Sequence, residues 1–259
     1  MAWRLSKPAR DLIRKPVPPS GRARGHAFRD HALATALAAL GMLLLAGGAQ
    51  ADPIRIVAFG DSNTAGFGVS TPNKYPMQLE RALQARGHDV EVINAGVSGD
   101  TTAGALRRFN DAFPPDTDIA IVFLGRNDMR FGFSMETTKR NLHEIVGRLR
   151  ARGVEVILAG FHTRDFSDIA MVHGASYYPD FFDGVAVNGV KKTGYALFWD
   201  IIGHLNTRGY EEVVARLSPL VEAQVRKVFC NRLGDAIIFA PECQSEEMQA
   251  QLSTGVVRR

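Results

Sequence analysis

The feature that most constrains this chain is an alternation. Four short runs of apolar, largely β-branched residues, at 54–59, 90–94, 119–124 and 154–159, are separated by longer stretches at 75–86, 101–111 and 135–151 whose apolar residues recur at helical spacing. Runs that are apolar at nearly every residue suit strands covered on both faces, and parallel strands need crossover connections that supply such cover. Two crossovers end alike: Ala85-Arg86-Gly87 and Ala151-Arg152-Gly153 each put a glycine where a helix terminus calls for a positive φ. Helix, glycine stop and strand repeat as a unit, which predicts an α/β chain with a three-layer α/β/α sandwich around a mainly parallel sheet. A last helical stretch at 206–229 packs back on that sheet. Between 161 and 200 the periodicity fails, and the segment reads as a long surface excursion with one short helix, of the kind that more often carries function than not.

The first fifty-one residues read as a targeting segment. Arg4, Lys7, Arg10, Arg14, Lys15, Arg22, Arg24 and Arg29 form a basic region, 32–46 an apolar one, and Ala49-Gln50-Ala51 an A-x-A cleavage site. The apolar run is shorter than the roughly 20 residues of a spanning helix, so no stable membrane span is expected after cleavage behind Ala51. The expected organisation is therefore a removed signal at 1–51, one α/β domain at 52–229 and a C-terminal extension at 230–259, in a periplasmic or secreted protein. The segment before Asp52 carries eight basic and two acidic residues, so the formal charge of +4 leaves a net −2 on the rest. The high isoelectric point thus belongs to the leader, and a nucleic-acid partner is not expected. Cys230 and Cys243 lack zinc-ligand spacing. In an oxidising compartment the expectation is a disulfide that ties down the extension.

In an open α/β sheet, ligands bind beyond the carboxyl ends of the strands, and three loops there have the composition of a catalytic site. They are Gly60-Asp61-Ser62-Asn63-Thr64-Ala65-Gly66, Asn94-Ala95-Gly96-Val97-Ser98-Gly99-Asp100 and Gly125-Arg126-Asn127-Asp128. A fourth segment, His204-Leu205-Asn206-Thr207-Arg208-Gly209-Tyr210, precedes the last helix. A serine at a strand-to-helix turn, an imidazole to take its proton and amide donors for an oxyanion are the parts acyl transfer needs.

The four segments, in this order, resemble the conserved blocks of the GDSL or SGNH hydrolases across roughly 54–229. The spacing, with the stretch around 181–187, is most similar to the bacterial thioesterase I, lysophospholipase and arylesterase group. The resemblance implies a flavodoxin-like SGNH fold, a Ser62 nucleophile, a His204 base, and an oxyanion hole from the Ser62 N–H, the Gly99 N–H and the Asn127 side chain. It implies no metal or other cofactor, and a small-molecule or lipid-like acyl ester as substrate: a carboxylic ester, thioester or lysophospholipid, cleaved through an acyl-serine intermediate. The chain departs from the family at the acid. The usual aspartate stands three residues before the histidine, where this sequence has Ile201, whereas Asp200 stands four before it. Asp200 is the candidate acid, with Gly203 letting the turn absorb the extra residue. Asp183, or a dyad oriented by a backbone carbonyl, are its rivals. A carbohydrate O-acetyl esterase and a non-catalytic periplasmic binding protein of the same fold are the competing functions.

Each candidate also has a plainer role. Ser62 suits an N-cap, Asn127 and Asp128 suit a turn, and Gly99 suits a tight bend. His88 and His143 read as solvated, while His162 and His173 fall in the excursion. Arg126 and Arg164 read as surface charges. Tyr177, Tyr178, Phe181, Phe182, Tyr195, Phe198 and Trp199 are expected either in the core or as an acyl-binding wall.

Overall fold

The computed structural model describes residues 52–162, 164–187, 190–197, 200, 203–234, 240 and 243. The expected leader, Phe198, Trp199 and Ile201 lie outside them. Five parallel strands form the central sheet: β1 (Ile54–Gly60), β2 (Val90–Gly96), β3 (Ile119–Phe123), β4 (Glu155–Ala159) and β5 (Ser176–Tyr178). Their order is β2-β1-β3-β4-β5. The connection therefore reverses direction between β1 and β3, which is where a doubly wound sheet opens a crevice for ligands.

Burial explains why the strands were legible. Every residue of β3 is buried, as are six of the seven in β1. Helices α1 (Ser62–Ala65) and α2 (Tyr75–Gln84) follow β1, and α3 (Thr102–Arg107) and α4 (Phe109–Ala112) follow β2. Then come α5 (Arg126–Arg130), α6 (Met135–Ala151), α7 (Ser167–His173) and α8 (Thr207–Leu233). Helices α2 and α8 pack together on one face, while α3, α6 and α7 pack in sequence on the other. Among the described residues no helix is long and apolar enough to cross a membrane.

Three expectations change. The stretch at 101–111 is two helices, broken at Arg108, whose backbone at φ −100°, ψ 11° leaves the helical ladder. The segment from 161 to 200 is not only surface. It supplies α7, the edge strand β5 and a small antiparallel hairpin, β6 (Ala186–Val187) with β7 (Val190–Lys191). Its Phe161, Phe166, Ile169, Phe181, Phe182 and Val185 are buried in the main core. Finally, α8 runs four residues past the expected end, and Cys230, now within it, makes the expected disulfide to Cys243, their Cα atoms 5.5 Å apart.

Two strand ends explain the glycines beside the expected site. A methyl group on Gly60 would collide with the Thr64 side chain and the Phe123 carbonyl, and one on Gly96 with the backbone of Thr64 and Ala65. Short side chains here let β1 and β2 close directly on the turn that carries Ser62.

Candidate active site

Ser62 opens α1 immediately after β1. Asp61 caps that helix, its buried carboxylate accepting from the Asn63 N–H at 2.9 Å and from the Asn63 amide at 3.1 Å. Burial nonetheless raises the pKa of Asp61, against the lowering effect of those bonds and of the Arg126 and His204 charges. The turn closes at Gly66, φ 73°, whose N–H donates to the Ser62 carbonyl. The nucleophile candidate is thus held on a four-residue helix fixed at both ends, with its side chain nearly buried.

His204 lies just before α8, in a segment with its own scaffold. Asn206 caps α8 by accepting from the Gly209 N–H at 2.9 Å, and its amide donates to the carbonyls of Gly194 and Ala196. The Leu197 N–H donates to the His204 carbonyl at 2.8 Å. The ring of Phe67 sits 4.7 Å from the imidazole, centre to centre. These contacts fix an imidazole whose Nε2 is 2.8 Å from Ser62 Oγ, although 142 residues separate the two in sequence.

Asp200 completes the line. Its Oδ2 meets His204 Nδ1 and accepts the His204 backbone N–H at 2.6 Å. Gly203 takes φ 75°, and its N–H donates to the Asp200 carbonyl at 3.0 Å. A left-handed glycine therefore lets a carboxylate four residues upstream reach the ring. Asp183 is elsewhere, paired with Arg216 at 3.0 Å and largely exposed.

The second and third loops converge beside Ser62. The Val97 N–H donates to the Gly60 carbonyl at 3.0 Å, and the Asp100 N–H closes a turn on the Val97 carbonyl at 3.1 Å. Gly99 lies inside that turn at φ 80°. Asn127 is buried, and its amide donates to the Asp100 carbonyl at 2.8 Å. Asp128 is not a simple turn residue. Its carboxylate accepts both the backbone N–H and the hydroxyl of Thr102, so it fastens the third loop to the start of α3. Ser62, His204 and Asp200 are brought together, and Asn127 is tied to the loop of Gly99. Among the described residues no group of three or more His, Cys, Asp or Glu side chains is placed to hold a metal ion.

Sequence reasoning missed Arg108. Its guanidinium pairs with Asp100 at 2.7 Å, donates to the carbonyls of Ala95 at 2.8 Å and Gly60 at 3.1 Å, and lies 4.3 Å from the centre of the Phe59 ring. One side chain thus holds the ends of β1 and β2 and the loop between β2 and α3. Replacing Arg108 with methionine is expected to destabilise the fold by roughly 2–3 kcal/mol, because Asp100 and two carbonyls lose a charged donor in a half-buried setting. Urea denaturation checks this, and activity at a permissive temperature should also fall as Gly99 shifts. Nothing near Arg108 in the sequence marks it, since its carbonyl partners belong to two strands.

Other expectations are corrected. Arg126 is half-buried, 4.7 Å from the centre of the Phe182 ring, and burial lowers its pKa. Arg164 is exposed, as expected. His88 pairs with Glu222 at 3.0 Å, and His143 meets His173 at 3.2 Å, so neither is simply solvated. Phe181 stacks on Phe123 in the core at 4.0 Å, and Phe182 packs edge-on to both.

A serine hydroxyl on an imidazole, itself on a carboxylate, at the switch point of a doubly wound sheet, is the arrangement of a hydrolytic enzyme. Residues 58–189 match the model of the GDSL-like lipase/acylhydrolase family, and the chain belongs to that family, whose esterase relatives mark it as an ester-hydrolysing enzyme. Esterase TesA of Pseudomonas aeruginosa is 29% identical over 160 residues, covering 56% of this chain and 79% of TesA. Thioesterase 1/protease 1/lysophospholipase L1 of Escherichia coli K12 is 31% identical over 118 residues, 45% of this chain and 54% of that protein. The crystal structure of AlinE4, an SGNH-hydrolase family esterase, superposes with a TM-score of 0.53 at 32% identity over 68% of this chain and 98% of that one. The TesA crystal structure, at 23% identity and TM-score 0.59, covers 66% of this chain and 99% of its own and shares the fold.

Proposed function

We propose that this chain is an exported serine esterase acting on carboxylic esters or thioesters through an acyl-serine intermediate. The observation that carries the reading is the Ser62 Oγ to His204 Nε2 contact at 2.8 Å, continued from His204 Nδ1 to Asp200. In the proposed cycle Ser62 attacks the acyl carbonyl while His204 takes its proton, and Asp200 holds the ring and stabilises the imidazolium. The N–H groups of Ser62 and Gly99 and the Asn127 amide receive the developing oxyanion. His204 then returns the proton to the leaving oxygen or sulfur. A water activated by the same imidazole releases the acid.

Labelling tests the nucleophile directly. A fluorophosphonate probe should modify folded protein at a single site, and peptide mapping should place the adduct on Ser62. An adduct elsewhere, or none in protein that hydrolyses esters, would overturn the assignment. Rates on 4-nitrophenyl esters of increasing chain length then distinguish an acetyl-sized pocket from an acyl groove. Export rests on the leader sequence, with the domain at 52–229 and the extension at 230–259 as the mature chain. Amino-terminal sequencing of protein recovered from the periplasm or medium should start at Asp52.

A further inference from the structure

Beside the proposed triad lies a pair of cations that the reaction above does not use. Phe182, buried at the carboxyl end of β3 against Phe123, carries both on its ring. The Lys191 Nζ stands 3.6 Å from the ring centre and the Arg126 guanidinium carbon 4.7 Å from it. Arg126 directly precedes Asn127 of the expected oxyanion hole. Lys191 comes from β7, and its Cγ lies 3.5 Å from where a Cβ on Gly203 would stand, next to His204. One charge is therefore carried by the residue next to Asn127, and the other by a side chain that passes beside Gly203, next to His204.

Neither cation is in an ion pair among the described residues. Three carboxylates act on them through space, and each is engaged elsewhere: Asp61 with Asn63, Asp180 with the Phe182 N–H at 2.9 Å, and Asp200 with His204. Burial and the neighbouring Arg126 pull the Lys191 ammonium down to about 8. Two like charges held together in a half-buried place repel each other, and a ring face offsets that only in part. A structural role alone would be served better by one cation, or by a cation and a carboxylate. A pair of donors of this kind, a guanidinium fork and an ammonium point, suits a carboxylate or phosphate.

We infer that Arg126 and Lys191 form an anion subsite, and that the substrate is an acyl ester or thioester bearing a carboxylate or phosphate close to the scissile bond. This rests on the esterase reading and deepens it by naming the substrate class. The charge can sit on the acyl side or on the leaving group, and matched pairs of esters distinguish these sources. On the acyl side, 4-nitrophenyl hemisuccinate is compared with 4-nitrophenyl butyrate. On the leaving side, 4-acetoxyphenyl phosphate is compared with phenyl acetate.

The expected result is at least a tenfold preference in kcat/KM for the charged member of one pair, corrected for the esters' intrinsic reactivity and weakened by added salt. In Lys191→Met that ratio should fall to near one, and in Lys191→Arg it should be largely kept. A wild-type ratio within twofold in both pairs, with all four esters hydrolysed, overturns the subsite and leaves the esterase standing. Titration calorimetry with succinate and with inorganic phosphate reads the subsite without turnover. Binding at least fivefold weaker in Lys191→Met supports it, whereas equal or undetectable binding in both proteins overturns it, whatever the catalytic result. Failure to hydrolyse any ester, together with failure to label Ser62, instead overturns the esterase reading and with it the substrate class, while the calorimetry still decides the anion subsite.

Discussion

Asp200→Asn lowers kcat by about 10⁴-fold and leaves KM within a few-fold of wild type, if the carboxylate orients the imidazole as proposed. In the structure Asp200 Oδ2 receives His204 Nδ1, which fixes the proton on that nitrogen and leaves Nε2 as the acceptor facing Ser62 Oγ. An asparagine amide at the same place donates instead. The ring then carries its proton on Nε2, where it cannot take one from the serine. Substrate binding uses neither nitrogen, so the loss falls on kcat. The His204 backbone N–H also donates to the Asp200 carboxylate, so the variant's thermal midpoint should be measured with its kinetics. A drop of a few-fold only would remove Asp200 as the orienting acid and favour a dyad.

That experiment bears on the point where the sequence was hardest to read. The aspartate stands one position away from the family's spacing, and whether it reaches the ring depends on the backbone between, which composition does not describe. Gly203 at φ 75° supplies the answer locally. Elsewhere legibility followed how local the cause was. Helix α6 begins and ends where the sequence indicated, because Ser134 caps it, its hydroxyl accepting the Thr137 N–H, and Gly153 follows its end. Strands β1 and β3 were plain because burial on both faces demands continuous apolar residues. Strand β5 was not: it is three residues long, half-buried at the sheet edge, and reads Ser-Tyr-Tyr. Arg108 and Arg126 were invisible for a different reason. Each is a cation whose role is set by groups distant in sequence, namely the strand-end carbonyls in one case and the Phe182 ring in the other. A pattern of apolar positions predicts which faces are buried, and it carries no record of which charges those faces will shelter.

Asn127→Ala should lower kcat by about 10²–10³-fold, equivalent to roughly 3–4 kcal/mol of transition-state stabilisation, with KM little changed. A primary amide has two N–H donors. In the structure one of them is spent on the Asp100 carbonyl at 2.8 Å, which fixes the plane of the amide before any substrate arrives. The second donor remains for an oxyanion and needs no reorganisation to serve it, the condition under which such a donor contributes most. The variant also loses the bond to Asp100, so a purely structural account predicts a different outcome. It would show as a loss of stability of about 1 kcal/mol, a normal value for one neutral hydrogen bond, with kcat and KM both drifting as the loop of Gly99 loosens. Asn127→Asp adds a test of charge, since like the alanine variant it cannot donate to the Asp100 carbonyl. It is close in shape to the native residue, but an ionised carboxylate opposes an oxyanion, so activity should fall at least as far as in the alanine variant. Urea denaturation of both variants alongside their steady-state kinetics decides the matter. A kcat within tenfold of wild type in Asn127→Ala would remove this side chain from the oxyanion hole, leaving the N–H groups of Ser62 and Gly99 to stabilise the charge.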